Sequence, residues 1–229
     1  MRGDAMGMRQ RGLLRKAPSG LPKPFTPDKM STNRVPLIGG ILKRDKLSYG
    51  GNMVPNYMFG SYREITPTFL REKGIRYLLV DIDNTLAPYE QAEPDDDLRT
   101  WLASLRDDGV KLALVSNNDR ERVERFNATL GLDAYPKSGK PGKKTLLLAM
   151  KNMGAERGNT AVLGDQLLTD ACAGQRLGLP AIIVPPIRDK RNLFFRFKRL
   201  LERPFVRKYA KHHGWQDFMR FWHVEGGRK

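Results

Sequence analysis

The stretch that most restricts what this chain can fold into is Ile75-Arg76-Tyr77-Leu78-Leu79-Val80-Asp81-Ile82-Asp83-Asn84-Thr85-Leu86, an apolar run ending in two carboxylates two positions apart. A continuous apolar run with β-branched and aromatic members suits a strand covered on both faces, as inside a parallel sheet. Strands of that kind end at the crevice where open α/β sheets bind ligands. The run therefore predicts a buried strand that delivers Asp81 and Asp83 to a site. Two acids there, with no adjacent base, need a cation or a proton. Mg2+ matches best, because it takes carboxylate oxygens and is commonly held by one or two of them together with substrate phosphate. The competing reading is a plain turn, since Asp, Asn and Thr cap helices and form side-chain turns.

The remaining segments decide between the two. Val54 to Phe59 reads as a short amphipathic lead-in, and Thr66-Pro67 opens a short helix that stops near Lys73-Gly74. After Leu86 only Ala87 to Asp97 precedes a helix with Leu98, Trp101, Leu102 and Leu105 at helical spacing, a gap too short for a lid domain. Leu112 to Val115 reads as a second strand, followed by Ser116-Asn117-Asn118 and a helix capped by Asn118 or Asp119. Leu132 to Tyr135 is a brief third strand, with Pro136 to Pro141 as a basic loop before a helix containing Leu146, Leu147 and Met150. Thr160 to Leu163 is a fourth strand, ending in Gly164-Asp165 through Asp170. A helix to about Leu177-Gly178 and a strand from Ala181 to Val184 follow. This alternation predicts an α/β fold with a doubly wound parallel sheet and right-handed crossovers.

Four strand ends thus release functional loops at one edge: Asp81/Asp83, Ser116-Asn117, Lys140, and Asp165 with Asp170. On these residues the chain resembles the haloacid dehalogenase superfamily phosphatases of subclass IIIA, close to the YqeG type. Asp81-Ile82-Asp83-Asn84-Thr85 matches the first motif, Ser116 the second, Lys140-Pro141 the third, and Gly164-Asp165 through Asp170 the fourth. The resemblance implies an essentially capless domain and phosphoryl transfer through an aspartyl-phosphate. Asp81 is then the nucleophile and Asp83 the general acid and base. Asp81, Asp165 and the backbone carbonyl of Asp83 would hold Mg2+, while Ser116, Asn117 and Lys140 would bind phosphate. Asp170 is either an outer support of the metal site or an early-helix residue that interacts with the dipole. Lys137, three residues before Lys140, competes with it for the phosphate role. Elementary chemistry agrees, since a carboxylate attacks a phosphate dianion only where neighbouring cations and amides neutralise charge.

Charge is placed at the two ends. Residues 1–50 carry 11 Lys/Arg against 3 Asp/Glu, residues 185–229 carry 13 against 4, and residues 51–184 carry 17 against 18. The expected organisation is a basic arm over 1–50, the phosphatase domain over 51–186, and a basic amphipathic helical tail over 187–229. In that tail Phe194, Phe197, Leu200 and Leu201 share one helical face, with Arg196, Lys198, Arg199 and Arg203 off it. Pro204 is expected to end or kink the helix. Trp215, Phe218, Phe221 and Trp222 form a second such segment, whereas His212, His213 and His223 lie outside every motif. The stripes pack on the core, mediate self-association or sit at an anionic membrane surface.

A single cysteine, Cys172, excludes an intramolecular disulfide framework and suits a reducing compartment. No transmembrane run or signal peptide is expected, so the sequence predicts a cytoplasmic protein, with peripheral attachment to the inner face of a membrane as an extension. The leading function is a Mg2+-dependent phosphomonoesterase. Its resemblance to mitochondrial phosphatidylglycerophosphate phosphatases makes that lipid the first substrate to test. The alternatives are a nucleic-acid or ribosome-associated protein built on the same scaffold, which the basic ends allow, and a phosphatase of soluble sugar or nucleotide phosphates. Oligomeric state is not legible.

Overall fold

The computed structural model describes residues 53–188 and 193–213, the latter by backbone alone at 193–196, 199, 210, 212 and 213. The basic arm expected over 1–50, the second aromatic segment and the three histidine side chains lie outside the described residues, as do the side chains of Phe194, Arg196 and Arg199.

In chain order the elements are strand β1 (Tyr57–Met58), a 3-10 turn (Tyr62–Glu64), α1 (Pro67–Glu72), β2 (Tyr77–Val80), α2 (Asp96–Asp107), β3 (Lys111–Val115), α3 (Arg120–Asn127), β4 (Asp133–Tyr135), α4 (Lys144–Met153), a second 3-10 turn (Arg157–Asn159), β5 (Thr160–Gly164), a π-helical turn (Leu167–Ala171), α5 (Cys172–Gln175), β6 (Ala181–Ile183) and α6 (Leu193–His213). The six strands are all parallel, in the order β1-β6-β5-β2-β3-β4. The apolar run is thus an inner strand, with Leu79 paired to Ala113 on one side and Val162 on the other.

The two faces of β2 are filled by different layers. Leu78 and Val80 join α1, α2 and α3 through Leu70, Leu98, Leu102, Val123 and Phe126. Leu79 faces the other way, with Ala113, Val115 and Val162, onto α4 through Leu146 and Met150 and onto α5 and the segment after it through Ala173 and Leu177. Because both layers are apolar, strand alternation never shows as alternating polarity. Helix starts follow the expected chemistry: Thr66, Asp95 and Asp119 each accept a backbone N–H in the first turn of α1, α2 and α3. Among the described residues no domain is inserted after β2 or β3.

The structure departs from or narrows the sequence reading at four places. Tyr57 and Met58 are not an amphipathic lead-in but an edge strand, paired with Ile182 and Ile183. Two residues are too few to show any period. Leu147 is exposed on α4, and the buried positions are Leu146, Ala149, Met150 and Met153. Pro204 does not end the last helix, which continues to His213. Of the placements open to the apolar stripe of α6, packing on the core does not occur: Phe197, Leu200 and Leu201 are 57%, 54% and 46% exposed.

The docked face of α6 is formed by Glu202, Val206 and Tyr209, which are spaced at i, i+4 and i+7. Val206 and Tyr209 pack with Met58, Leu167, Ala171, Ala181 and Ile183 at the β1–β6 edge. The Tyr209 hydroxyl accepts the Met58 amide at 3.1 Å, and Glu202 Oε1 accepts the Leu168 amide at 3.1 Å. Among the described residues no helix is long and apolar enough to cross a membrane.

Candidate active site

β2 ends at Val80, and the next residues turn sharply. Asn84 has φ 66°, and its amide donates to Ala87 O at 2.7 Å while Leu86 N returns to Ile82 O at 2.9 Å. Asn is among the few L-residues that tolerate this conformation. The turn leaves Asp81 at the strand end and Asp83 on the loop, 7% and 4% exposed respectively.

Beside β2, β5 brings in Asp165, fully buried at 0% exposure. The chain then winds into the π-helical turn, where Asp170 N and Ala171 N both donate to Gln166 O. Such turns are frequent at functional sites. This one folds Asp170 back over Gly164, where an added Cβ would overlap Asp170 Cγ. Glycine is required there for space. Oxygens of Asp81, Asp165 and Asp170 can all lie within 4.8 Å of one another.

Lys140 reaches this group from the loop after β4. Its Nζ lies 2.8 Å from Asp81 Oδ1 and 2.7 Å from Asp170 Oδ1, and donates to Val115 O at 2.6 Å. Burial lowers its proton affinity, but Asp170 and Asp81 together outweigh that and raise it above the ordinary lysine value, so the ammonium is kept. Lys137 is exposed. Between the two lysines, Lys140 is the one at the cluster.

Burial pushes Asp81 up to about 8, with Asp170 and Asp165 adding to the shift and Lys140 opposing it. Three buried carboxylates against one ammonium therefore favour a proton on Asp81, which would leave it unable to act as a nucleophile. A hard divalent cation fits this all-oxygen donor set and supplies the missing positive charge. Asp81, Asp165 and Asp170 are the side chains grouped closely enough to hold such an ion.

The remaining sequence candidates are placed as follows. Ser116 is buried and lines the cavity, its Oγ accepting the Asn118 amide at 3.1 Å. Asn117 also lines it, but its side chain is committed elsewhere: Oδ1 accepts Lys140 N at 2.8 Å and Ser138 Oγ at 2.7 Å, and Nδ2 donates to Lys140 O at 2.9 Å. Through these bonds the Asn117 side chain fixes the Lys140 loop. Asp83 points its carboxylate towards α3, to Asn118 Nδ2 at 3.0 Å and Arg122 Nε at 3.2 Å. It is therefore not part of the carboxylate group formed by Asp81, Asp165 and Asp170.

The cavity has a volume of about 180 Å³, and besides these residues Tyr89, Gln166 and Thr169 line it. Tyr89 projects from the loop after the turn, its hydroxyl held protonated by burial and by the charges of Asp83, Asp81, Asp165 and Asp170. Arg122 and Tyr89 carry no motif. The signal for Arg122 is its position four residues before Phe126, in register with the buried face of α3. Tyr89 has only its nearness to Asp83 in the sequence.

Comparison with known proteins assigns the class. The chain belongs to the haloacid dehalogenase-like hydrolase family, whose family model matches residues 42–178. It is a phosphatase of that family, 32% identical over 166 residues to the Probable phosphatase YqeG of Bacillus subtilis (strain 168), covering 72% of this chain and 96% of that protein. Solved structures similar to it include the cobalt-bound deoxy-D-mannose-octulosonate 8-phosphate phosphatase of Haemophilus influenzae, 17% identical, with a TM-score of 0.40 over 60% of this chain and 92% of that one. CbbY of Rhodobacter sphaeroides in complex with phosphate is 13% identical, with a TM-score of 0.36 over 52% of this chain and 90% of that one.

Proposed function

We propose that the protein hydrolyses phosphomonoesters in two steps through an aspartyl-phosphate on Asp81, with Mg2+ bound by Asp81, Asp165 and Asp170. The observation that carries this reading is the meeting of Lys140 with Asp81 and Asp170 at the floor of the cavity, beside Asp165. When bound, the cation neutralises the carboxylates and the phosphoryl oxygens.

In the first step an Asp81 oxygen forms a bond to phosphorus as the bond to the leaving alcohol breaks. The electron pair departs on that alcohol's oxygen, which takes the proton of the Asp83 carboxyl. In the second, Asp83 accepts a proton from water, whose oxygen attacks the same phosphorus. Inorganic phosphate and the free Asp81 carboxylate result. Lys140 offsets charge on Asp81 throughout, and the Ser116 hydroxyl is available to a phosphoryl oxygen.

The first experiment is phosphate release from an aryl phosphate by wild type and Asp81→Asn, each with and without Mg2+. Release only by wild type with Mg2+ is expected, and equal rates in all four samples would refute the mechanism.

The substrate reading rests on two features. No lid covers the cavity among the described residues, and the outward face of α6 carries Phe197, Leu200 and Leu201 followed by exposed Arg207, Lys208 and Lys211. Apolar and basic groups together suit an anionic lipid surface, so we take phosphatidylglycerophosphate, presented in a bilayer, as the substrate. Vesicles of anionic or neutral lipid, sedimented with wild type and with a Phe197→Ser/Leu200→Ser/Leu201→Ser variant, test the surface. Binding to anionic vesicles that the variant loses is expected. Preference for soluble phosphate esters, with no vesicle binding, would overturn the lipid reading and leave the reaction intact.

A further inference from the structure

Asp83 is the group that must serve the leaving oxygen on the reading above, yet both of its oxygens are held from the side of α3. Oδ1 accepts Arg122 Nε at 3.2 Å and lies 3.2 Å from Nη2, while Oδ2 accepts Asn118 Nδ2 at 3.0 Å. Arg122 is only 6% exposed, an unusual state for arginine, and its guanidinium lies 5.1 Å from the centre of the Phe126 ring. Its remaining donors cross to the loop beside the cavity, Nη1 to Ala92 O at 3.3 Å and Nη2 to Pro88 O at 3.4 Å. Those two carbonyls bracket Tyr89.

A buried ion pair contributes little stability over an apolar replacement, because desolvation offsets most of the attraction. Its planar fork does, however, fix the direction of a carboxylate in a way a point charge cannot. We propose that Arg122 is a positioning residue for the proton-transferring acid. It sets the angle of the Asp83 carboxyl and locks the Pro88–Ala92 loop, with Tyr89, to that angle. This role rests on the reaction assigned above.

The chemistry supplies a readout that a merely structural role would not move. A leaving alkoxide needs the Asp83 proton as its bond to phosphorus breaks. A nitrophenolate leaves well without it. Misplacing Asp83 should therefore penalise alkyl phosphates far more than nitrophenyl phosphate. The parameter to measure is kcat/KM, which covers steps only up to that cleavage and is blind to later hydrolysis of the aspartyl-phosphate.

The experiment measures kcat/KM with Mg2+ for nitrophenyl, phenyl and alkyl phosphates. The proteins are wild type, Arg122→Lys, Arg122→Met, Asp83→Asn and the double variant Asp83→Asn/Arg122→Met. Arg122→Lys keeps the buried charge and so protects folding, while losing the fork. We expect Arg122→Met to lower the alkyl values about 100-fold and the nitrophenyl value less than about tenfold, with Arg122→Lys between them. In the Asp83→Asn background Arg122→Met should add almost nothing. An equal fall for every leaving group, or a full additional loss in the double variant, would overturn the positioning role. Absence of Asp81-dependent turnover of any ester by wild type would overturn the phosphatase reading, and the positioning role with it.

Discussion

Among the described residues two regions bury carboxylates, and they answer the cost differently. At the end of β2, Asp81, Asp165 and Asp170 crowd around Lys140, so acids outnumber the ammonium and one of them is driven towards protonation. In α6, Glu202 is 1% exposed beside an apolar face and accepts the Leu168 amide at 3.1 Å. Burial creates a demand for a ligand in the first region. In the second it fastens one element to another. Buried charge therefore identifies a site only where it is left in excess.

The sharpest break between the two is expected from Asp81→Asn, which removes the proposed nucleophile and should lower kcat at least about 10⁴-fold in a phosphate-release assay while the fold is retained. Gly164→Ala comes next. The added methyl would overlap Asp170, and displacement on the scale of 1 Å should cost about 100-fold in kcat/KM. A circular dichroism spectrum unlike wild type would instead assign Gly164 to the fold.

The excess charge also predicts how Mg2+ and pH combine. Asp81 is raised from 3.8 to about 8, so between those values the folded protein holds a proton that the unfolded chain does not. On that account the metal-free protein loses stability as pH rises through the window. On the proposed binding Mg2+ displaces the proton, and its affinity should fall about tenfold per pH unit below 8. Melting with Mg2+ and with chelator should show a larger Mg2+-induced rise at pH 8 than at pH 6, and the same rise at both would break the contrast.

In α6, Glu202→Ala leaves the Leu168 amide without its acceptor and should cost about 1–3 kcal/mol, a fall of several degrees in Tm. The smallest effect belongs to the opposite face of the same helix. Leu200→Ser should change stability by no more than about 0.5 kcal/mol, because that side chain is already in solvent.

The same contrast explains what was readable beforehand. β2 was legible because a strand covered on both faces has only one way to be satisfied, and the acids at its end had to meet whatever other strands delivered. The apolar stripe of α6 was equally visible, but amphipathicity does not say which face finds a partner. Tyr209 and Val206 found one through Met58 and Ile183. β1 is two residues long and owes its existence to β6 rather than to its own pattern. Arg122 was hidden for a different reason: a buried arginine contradicts the hydrophobic rule by which helix faces are read, and only the position of Asp83 in three dimensions accounts for it.

The bond between Glu202 and Leu168 bears on where the smallest working form of this protein ends. The matched family region stops at residue 178, and the strand order closes at Ile183, so a chain trimmed to residue 186 looks complete on paper. Such a chain would expose Met58, Leu167, Ala181 and Ile183 and release the turn that carries Thr169 and Asp170. The packed unit therefore extends at least to Tyr209, and the basic helix braces from behind the turn that carries Asp170.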